Sequence, residues 1–128
     1  DGRKELHNNL RINTSLMNAI MRQPVYNNSC EYADNRISLF SAQWGKCAIT
    51  DKIFNSTAEI HCHHKIPRKN GGGDDYNNLI LVSEMVHKLI HAVANETVNK
   101  YLSVLCLSKT KLAKVNKLRK MAGIASIT

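Results

Sequence analysis

Apolar residues recur at steps of three and four along several stretches of the chain, the spacing that places them on one face of a helix. These stretches predict helices over residues 3–22, from about Cys30 to Trp44, from Glu84 to at least Asn95, and from about Lys109 to Met121. The third helix has room to continue to Leu107. Shorter apolar segments between the second and third helices are typical of strands, so the chain is predicted to have an α+β fold.

The residues at the ends of these stretches favour helix termini. The loop Asn27-Asn28-Ser29 could cap the second helix, and Ser83 can cap the third, because these side chains can accept a hydrogen bond from the first turn. Gly45 follows the second helix and can adopt the left-handed conformation that ends a helix. Within that helix, Phe40 and Trp44 are predicted to lie in the core.

The predicted strands are Cys47-Ala48-Ile49 and the segment from Glu59 to His63. The polar stretch from Asp51 to Thr57 joins them, so we expect the two to form a hairpin. A glycine-rich loop follows from Pro67 to Asn77, and Leu79 to Val82 is a short apolar segment after it. The predicted order is therefore helices, a hairpin, a loop and further helices.

The chain is short, basic and unevenly charged. Its 128 residues suit one compact domain, and a hydrophobic content of 43% is enough for a core. The formal net charge is +8, and the stretch after Glu96 contains lysines and one arginine but no acidic residue. This asymmetry favours a polyanionic partner, with nucleic acid first and an anionic membrane second. A merely soluble basic surface is the alternative that charge alone leaves open.

Two features bear on where the protein acts. No stretch has the length of a membrane span, and no secretory signal opens the chain. Four cysteines occur without a C-x-x-C pair, and we expect them to be reduced thiols of a protein in the cytoplasm, the nucleoid or an organelle matrix. Because the chain begins at Asp1 and not at methionine, we expect it to be a piece of a longer protein or a processed form.

Most of the histidines fall within one window of the chain. His87 and His91 are four residues apart on a predicted helix, which places two imidazoles one turn apart on one face. His63 and His64 are adjacent on a predicted strand, so they point to opposite faces. One of these could complete a three-histidine metal site and leave the other free beside it. For either histidine alone, an imidazole hydrogen-bonded to backbone is the simpler interpretation.

The full set of residues resembles the HNH nuclease motif, also called the ββα-metal motif. In that motif a hairpin with adjacent histidines, a loop containing an asparagine and a histidine-bearing helix follow one another, which is the predicted order here. The resemblance is carried by His63-His64-Lys65-Ile66-Pro67, Gly71-Gly72 with Asp74, Asn78-Leu79, and His87 with His91.

A longer stretch is similar to one subfamily, the C-terminal endonuclease domain of group II intron-encoded reverse transcriptase/maturase proteins. The similarity covers roughly residues 30–95 and is carried by Arg36, by Gln43 through Thr50, and by His61 through Arg68. In such proteins the domain nicks one strand of a DNA target, and the new 3′ end primes reverse transcription of the intron.

The chain departs from that subfamily at a structural zinc site. Many of its members carry two C-x-x-C pairs, whose positions here hold Cys47, Thr50, Ser83 and Val86. A single thiolate cannot build a tetrahedral zinc site, so we expect packing to hold the hairpin. Cys62 and Cys106 are expected to be buried thiols that bind no metal.

The resemblance implies a division of work among the site residues. His63, His87 and His91 would bind one divalent metal ion, Mg²⁺, Mn²⁺ or Zn²⁺. His64 would act as general base near neutral pH, and Asn78 would orient it through its amide.

Basic residues around the histidines are predicted to contact nucleic acid. Arg36 would brace the scissile phosphate, a role that the resemblance implies and that a guanidinium suits. The other predicted contacts are Lys65, Arg68, Lys69, Lys111, Lys114 and Lys117. For Lys65 and Lys69, a solvated surface charge is the simpler interpretation. The lysines of the last helix would follow a DNA backbone, while a contact with intron RNA and a solvated helix face stay open.

The sequence therefore predicts an α+β domain with a ββα-metal core, a short hairpin and a metal-bearing helix, flanked by further helices. We expect a helical segment over 1–28, the endonuclease domain over 29–107 and a basic helix over 108–128. The predicted function is metal-dependent nicking of double-stranded DNA, with intron RNA reached through the parent protein, no membrane partner and no small-molecule cofactor. The alternatives are a catalytically inactive nucleic-acid-binding module and a free-standing HNH nuclease.

Overall fold

The computed structural model describes residues 16–21 and 29–127, and the statements below concern these residues. Residues 16–21 are helical, as the sequence predicts, and Ile20 is buried in the core. The rest of the predicted helix over 3–22 lies outside the described residues. The predicted division of the chain at residues 28 and 107 stays a prediction.

The fold is α+β, as predicted, with a two-stranded antiparallel sheet and helices on both sides of it in the chain. The helices are α1 (Cys30–Ala42), α2 (Glu84–His91), α3 (Asn95–Leu105) and α4 (Lys109–Met121), and the strands are β1 (Ile60–His64) and β2 (Leu79–Ser83). The order β1, loop, β2, α2 is that of a ββα-metal core.

The hairpin has a different second strand from the one predicted. β1 pairs with β2, with His63 opposite Ile80 and His64 opposite Leu79. The predicted pairing of Glu59 to His63 with Cys47-Ala48-Ile49 is wrong. β2 lies in the middle, with β1 on one side of it. On its other side the backbone N–H of Ala48 donates to the carbonyl oxygen of Leu81 at 3.1 Å. This position suits β2 because the strand is almost wholly apolar.

Helix α1 begins as predicted and ends two residues earlier. The Ser29 hydroxyl accepts a hydrogen bond from the backbone N–H of Tyr32. Trp44 and Gly45 both have positive φ angles, 57° and 65°, so the chain turns sharply after the helix. Phe40 is in the core, as predicted, but the turn directs Trp44 outward and leaves it 58% exposed, so its predicted place in the core is wrong.

Helix α2 is shorter than predicted. Ser83 begins it as expected, because its hydroxyl accepts from the backbone N–H of Val86. The helix ends at His91, Ala92 is extended with a ψ of 130°, and α3 starts only at Asn95. The predicted continuous helix to at least Asn95 is therefore wrong.

A buried arginine of α4 explains where α2 stops. Arg119 is only 4% exposed, and its Nη1 donates to the carbonyl oxygens of Leu89 and Ala92, each at 2.7 Å. Its Nε donates to the carbonyl oxygen of Ala125 at 2.8 Å. The last carbonyls of a helix have no partner within the helix, so a buried cation there both satisfies them and suits the negative end of the helix dipole.

Replacing Arg119 by methionine is expected to lower the free energy of unfolding by about 3 kcal/mol, because buried carbonyls lose a charged donor. Unfolding in urea measures the change. The control is Lys120→Met, which removes the same charge from an exposed neighbour on α4 and should stay within about 0.5 kcal/mol of the parent. Equal losses in the two variants would contradict this role for Arg119.

Helices α3 and α4 pack one face inward and expose the other. Val115 and Leu118 are buried in α4, within the apolar arc that the sequence predicts, and four of its five lysines are exposed. Cys106, predicted to be buried, is exposed and ends α3 with a φ of 49°. None of the described helices has the length and apolar character needed to cross a membrane.

Four residues occupy the positions at which many members of the resembled subfamily carry two C-x-x-C pairs. We term them the packed corner: Cys47, Thr50, Ser83 and Val86. Cys47 is 1% exposed, and its Sγ accepts a hydrogen bond from the backbone N–H of Ser83 at 3.4 Å. Thr50 and Val86 are also buried. The hydrogen bond from the Ser83 backbone to Cys47 joins the loop after α1 to the start of α2, while the expected role of packing stays a prediction.

Candidate metal centre

Three imidazoles converge where β1 meets α2. His63 comes from the strand, and His87 and His91 lie one turn apart on the helix. Their ring centroids are 4.7 to 5.3 Å apart, and one nitrogen of each lies within 4.8 Å of the others. The predicted convergence of these residues is confirmed, while their binding of a metal ion stays a prediction.

The nitrogen positions fit a metal ion. Nε2 of His87 and Nε2 of His91 are 3.2 Å apart. Two nitrogens bound to one tetrahedral ion at about 2.1 Å would be about 3.4 Å apart. His63 is 2% exposed, and its buried Nε2 has no hydrogen-bond partner among the described residues. A buried polar atom without a partner is costly, and a shared cation would satisfy it.

Burial keeps the three imidazoles neutral. It lowers the pKa of His63 to about 3, with the nearby His87 and His91 as further causes. It also lowers the pKa of His87 to about 4 and that of His91 below its ordinary value. Because a metal ion binds the neutral imidazole, this cluster would bind at neutral pH without first losing protons.

These shifts predict that the metal-free protein loses stability in acid. An unfolded histidine takes up its proton near pH 6.5, whereas folded His63 and His87 resist protonation down to about pH 3 and 4. The free energy of unfolding should therefore be level above pH 6.5 and fall as the pH drops below it. Urea unfolding with EDTA present, from about pH 7.5 to about 4.5, measures this. Stability that is unchanged over that range would show that the cluster is not buried as described.

A fourth histidine, His61, supports the cluster. Its Nδ1 lies 3.2 Å from Nδ1 of His87, on the side of that ring away from His91. If Nε2 of His87 binds the ion, its Nδ1–H is left to donate to His61, a contact that would fix the ring. The sequence placed His61 in the histidine window but gave it no role. The two-residue step from His63, which puts both on one face of β1, is the signal that was available.

His64 lies on the opposite face of β1, as predicted. Its ring stacks on Tyr32 of α1, with centroids 5.7 Å apart and planes 9° from parallel. Its Nε2 is 2.8 Å from Oδ1 of Asp74. This hydrogen bond, followed by one from Ser29, lowers the pKa of Asp74 to about 2, so the carboxylate is ionised and accepts from the imidazole.

Asp74 is the site residue whose role sequence reasoning missed. The Ser29 hydroxyl donates to its Oδ2 at 2.7 Å, Nη2 of Arg68 donates to Oδ1 at 3.0 Å, and Nδ2 of Asn35 donates to its carbonyl oxygen at 2.8 Å. The start of α1 therefore holds the loop that carries Asp74. An acidic residue beside the glycines of the motif was the available signal.

Asn78 does not orient His64 directly, so that part of the prediction is wrong. Its Oδ1 accepts from the backbone N–H of Ile66, and its Nδ2 donates to the carbonyl oxygens of Ile66 and Gly73. The amide thus pins the two ends of the glycine loop together. A Cβ on Gly72 would lie 1.7 Å from the carbonyl oxygen of Ile66, so only glycine fits this close approach.

The three converging histidines and His64 line one cleft of about 360 Å³. Its other lining residues include Tyr32, Cys62 and Arg68. Burial raises the pKa of the Cys62 thiol to about 11, which keeps it protonated and makes it a poor metal ligand. Cys62 is only partly buried, whereas the sequence predicts a buried thiol, and its not binding metal stays a prediction.

The predicted nucleic-acid contacts lie in four places. Arg36 is half-buried in α1, and its Nη2 donates to the carbonyl oxygen of Ile20 at 3.1 Å. Arg68 and Lys69 are exposed in the loop after β1. Nζ of Lys111 donates to the carbonyl oxygen of Thr50. The remaining three, which lie on a second cleft, are Lys65, Lys114 and Lys117.

Comparison with known families gives a match over the segment of the chain that contains these histidines. The family model described as HNH endonuclease matches residues 45–91, which begin after α1 and end with the last histidine of α2. This range contains the three converging histidines, His64 and the loop between the strands. No curated protein and no solved structure gives a significant match.

Proposed function

We propose that the HNH endonuclease domain at residues 45–91 cleaves one strand of double-stranded DNA by metal-dependent hydrolysis of a phosphodiester bond. One observation carries the proposal: a cluster of three neutral imidazoles and a separate, carboxylate-bound His64 open onto the same cleft. The cluster alone would equally suit a structural metal ion. The additional histidine provides the base that hydrolysis requires.

His64 is the residue to which we assign the proton transfer. With Nε2–H donated to Asp74, Nδ1 is the nitrogen left to accept a proton from water. The stacked Tyr32 ring and the carboxylate hold the imidazole in one orientation, and the carboxylate stabilises the imidazolium as it forms. The hydroxide so formed attacks phosphorus, and the 3′ oxygen leaves.

His63, His87 and His91 are the residues that would hold the ion. A divalent cation bound there would act as a Lewis acid on a phosphate oxygen and on the leaving 3′ oxygen. Three protein ligands leave coordination positions open for substrate, as in catalytic metal sites generally. We also propose that three basic side chains contact phosphates of the DNA: Arg36, Arg68 and Lys69.

Asn78 has an indirect part in this mechanism. By joining the backbone at Ile66 to that at Gly73, it closes the loop so that Asp74 reaches the His64 ring. The asparagine is therefore a positioning residue that acts through the loop.

We also propose that this domain belongs to a group II intron mobility protein, in which the parent protein binds the intron RNA. The support is the similarity of residues 30–95 to that subfamily. A reverse transcriptase encoded upstream in the same reading frame would support this context, and its absence would favour the free-standing nuclease.

Nicking of a supercoiled plasmid tests the activity. We expect the protein to convert it to the open-circular form with Mg²⁺, Mn²⁺ or Zn²⁺ and to stop when EDTA is added. DNA binding without cleavage under all three metals would contradict the proposal and favour the inactive binding module. Conversion directly to linear DNA would contradict single-strand nicking.

A further inference from the structure

A second cleft, of about 380 Å³, lies between α4 and the hairpin, and we term it the lysine cleft. Its rim carries Lys65 from the end of β1 and Lys114 and Lys117 from successive turns of α4. Asn77 and five apolar residues complete the lining, and we term the apolar five its floor: Ala48, Ile49, Ile80, Leu118 and Met121. The lysine cleft shares no lining residue with the cleft of the histidines.

The charge of the lysine cleft is uncompensated within the described residues. Neither Lys65, Lys114 nor Lys117 forms an ion pair there, and no acidic residue lines the cleft. Lys111, one turn before Lys114, is already bonded to the carbonyl oxygen of Thr50 and does not line it. Three unpaired ammonium groups around a concave surface suit a chain of phosphates.

The lysine cleft lies next to the metal centre. Ile80 of its floor is directly opposite His63 in the hairpin, and neighbouring strands are about 5 Å apart. Lys65 follows His64 in the chain. The two clefts therefore adjoin one another at the hairpin.

We propose that the lysine cleft binds the sugar–phosphate backbone of duplex DNA beside the cleavage site. The three ammonium groups contact successive phosphates, and the apolar floor packs against deoxyribose. Such contacts are independent of base sequence, and they set the register of the scissile phosphate over the histidines. This inference rests on the proposed function, because it assigns the flanking part of the same substrate.

Paired substitutions on α4 test the proposal. Lys114→Gln with Lys117→Gln removes two charges from the cleft, and Lys109→Gln with Lys120→Gln removes two exposed charges from outside it. Fluorescence anisotropy of a labelled duplex, with EDTA present to prevent cleavage, gives the affinity over a series of salt concentrations. The cleft pair should bind roughly tenfold more weakly near 0.1 M salt and lower the salt slope by about 1.8. The control pair should leave both nearly unchanged.

A substitution in the floor of the lysine cleft provides a second, independent test. Met121→Glu places a negative charge among the three ammonium groups without altering any of them, and we expect it to weaken duplex binding as well. Met121 is partly exposed, so the fold should tolerate the change.

Equal losses in the two lysine pairs would overturn the proposal, because they would show a general effect of net charge. So would weaker binding of an RNA hairpin with unchanged binding of duplex DNA. Because binding is measured without metal, the result is separate from the nuclease assignment. A protein that fails to nick can still show the lysine dependence, and a nicking protein can lack it.

Discussion

Changing His64 to alanine is expected to slow metal-dependent nicking by about 10²- to 10⁴-fold, the usual contribution of a general base. The three converging imidazoles lie on the other face of β1, so the affinity for a divalent ion should be unchanged. Single-turnover nicking of plasmid measures the rate, and calorimetric titration with Zn²⁺ or Mn²⁺ measures the affinity. Duplex binding in EDTA should also be preserved.

Two further variants separate the base from the metal ligands. Asp74→Asn keeps the His64 ring but removes the carboxylate that stabilises its protonated form, so an intermediate loss of rate is expected. His91→Ala should weaken metal binding itself. Nicking by His64→Ala at the rate of the parent protein would show that the base is misassigned.

Changing His63 to leucine is expected to stabilise the metal-free protein by about 1 to 2 kcal/mol while abolishing its stabilisation by metal. The buried Nε2 has no partner within residues 16–21 and 29–127, and an apolar side chain of similar size removes that cost. The parent protein should instead gain about 2.7 kcal/mol when the metal concentration is one hundred times the Kd. Thermal and urea unfolding with EDTA and with added Zn²⁺ measure both effects.

The matched control for this variant is His91→Leu. It also removes a ligand, so it should lose most of the response to metal. Because His91 is exposed, it should not stabilise the metal-free protein. A metal-free His63→Leu protein less stable than the parent would contradict an unsatisfied nitrogen at this position.

Local signals in the sequence were sufficient for much of the fold and for the metal cluster. Ser83 caps its helix as predicted, and Ser29, one residue of the predicted capping loop 27–29, caps another, because capping depends on residues only three positions away. The spacing of His87 and His91 fixes their shared face, and strand alternation separates His63 from His64. These are consequences of helix and strand periodicity within a few residues.

The features that were missed depend on contacts between distant parts of the chain. Pairing of β1 with β2 crosses the whole glycine loop, and periodicity does not rank it above a nearer apolar segment. The carbonyl oxygens at the end of α2 are bonded by Arg119, about thirty residues further on, which the sequence analysis counted only toward the positive charge after Glu96. Asp74 acquires its role only when the loop closes on His64.

The packed corner affects whether the protein stays folded when no metal ion is bound. A zinc-dependent fold unravels when a chelator removes its ion, because binding and folding are one event. Here the Cys47 sulfur accepts a hydrogen bond from the Ser83 backbone at the same junction, so we expect the domain to stay folded when a cation is withdrawn from the histidines. Such a domain could be emptied and refilled repeatedly, and the ion that it carries would follow whichever suitable metal its surroundings supply.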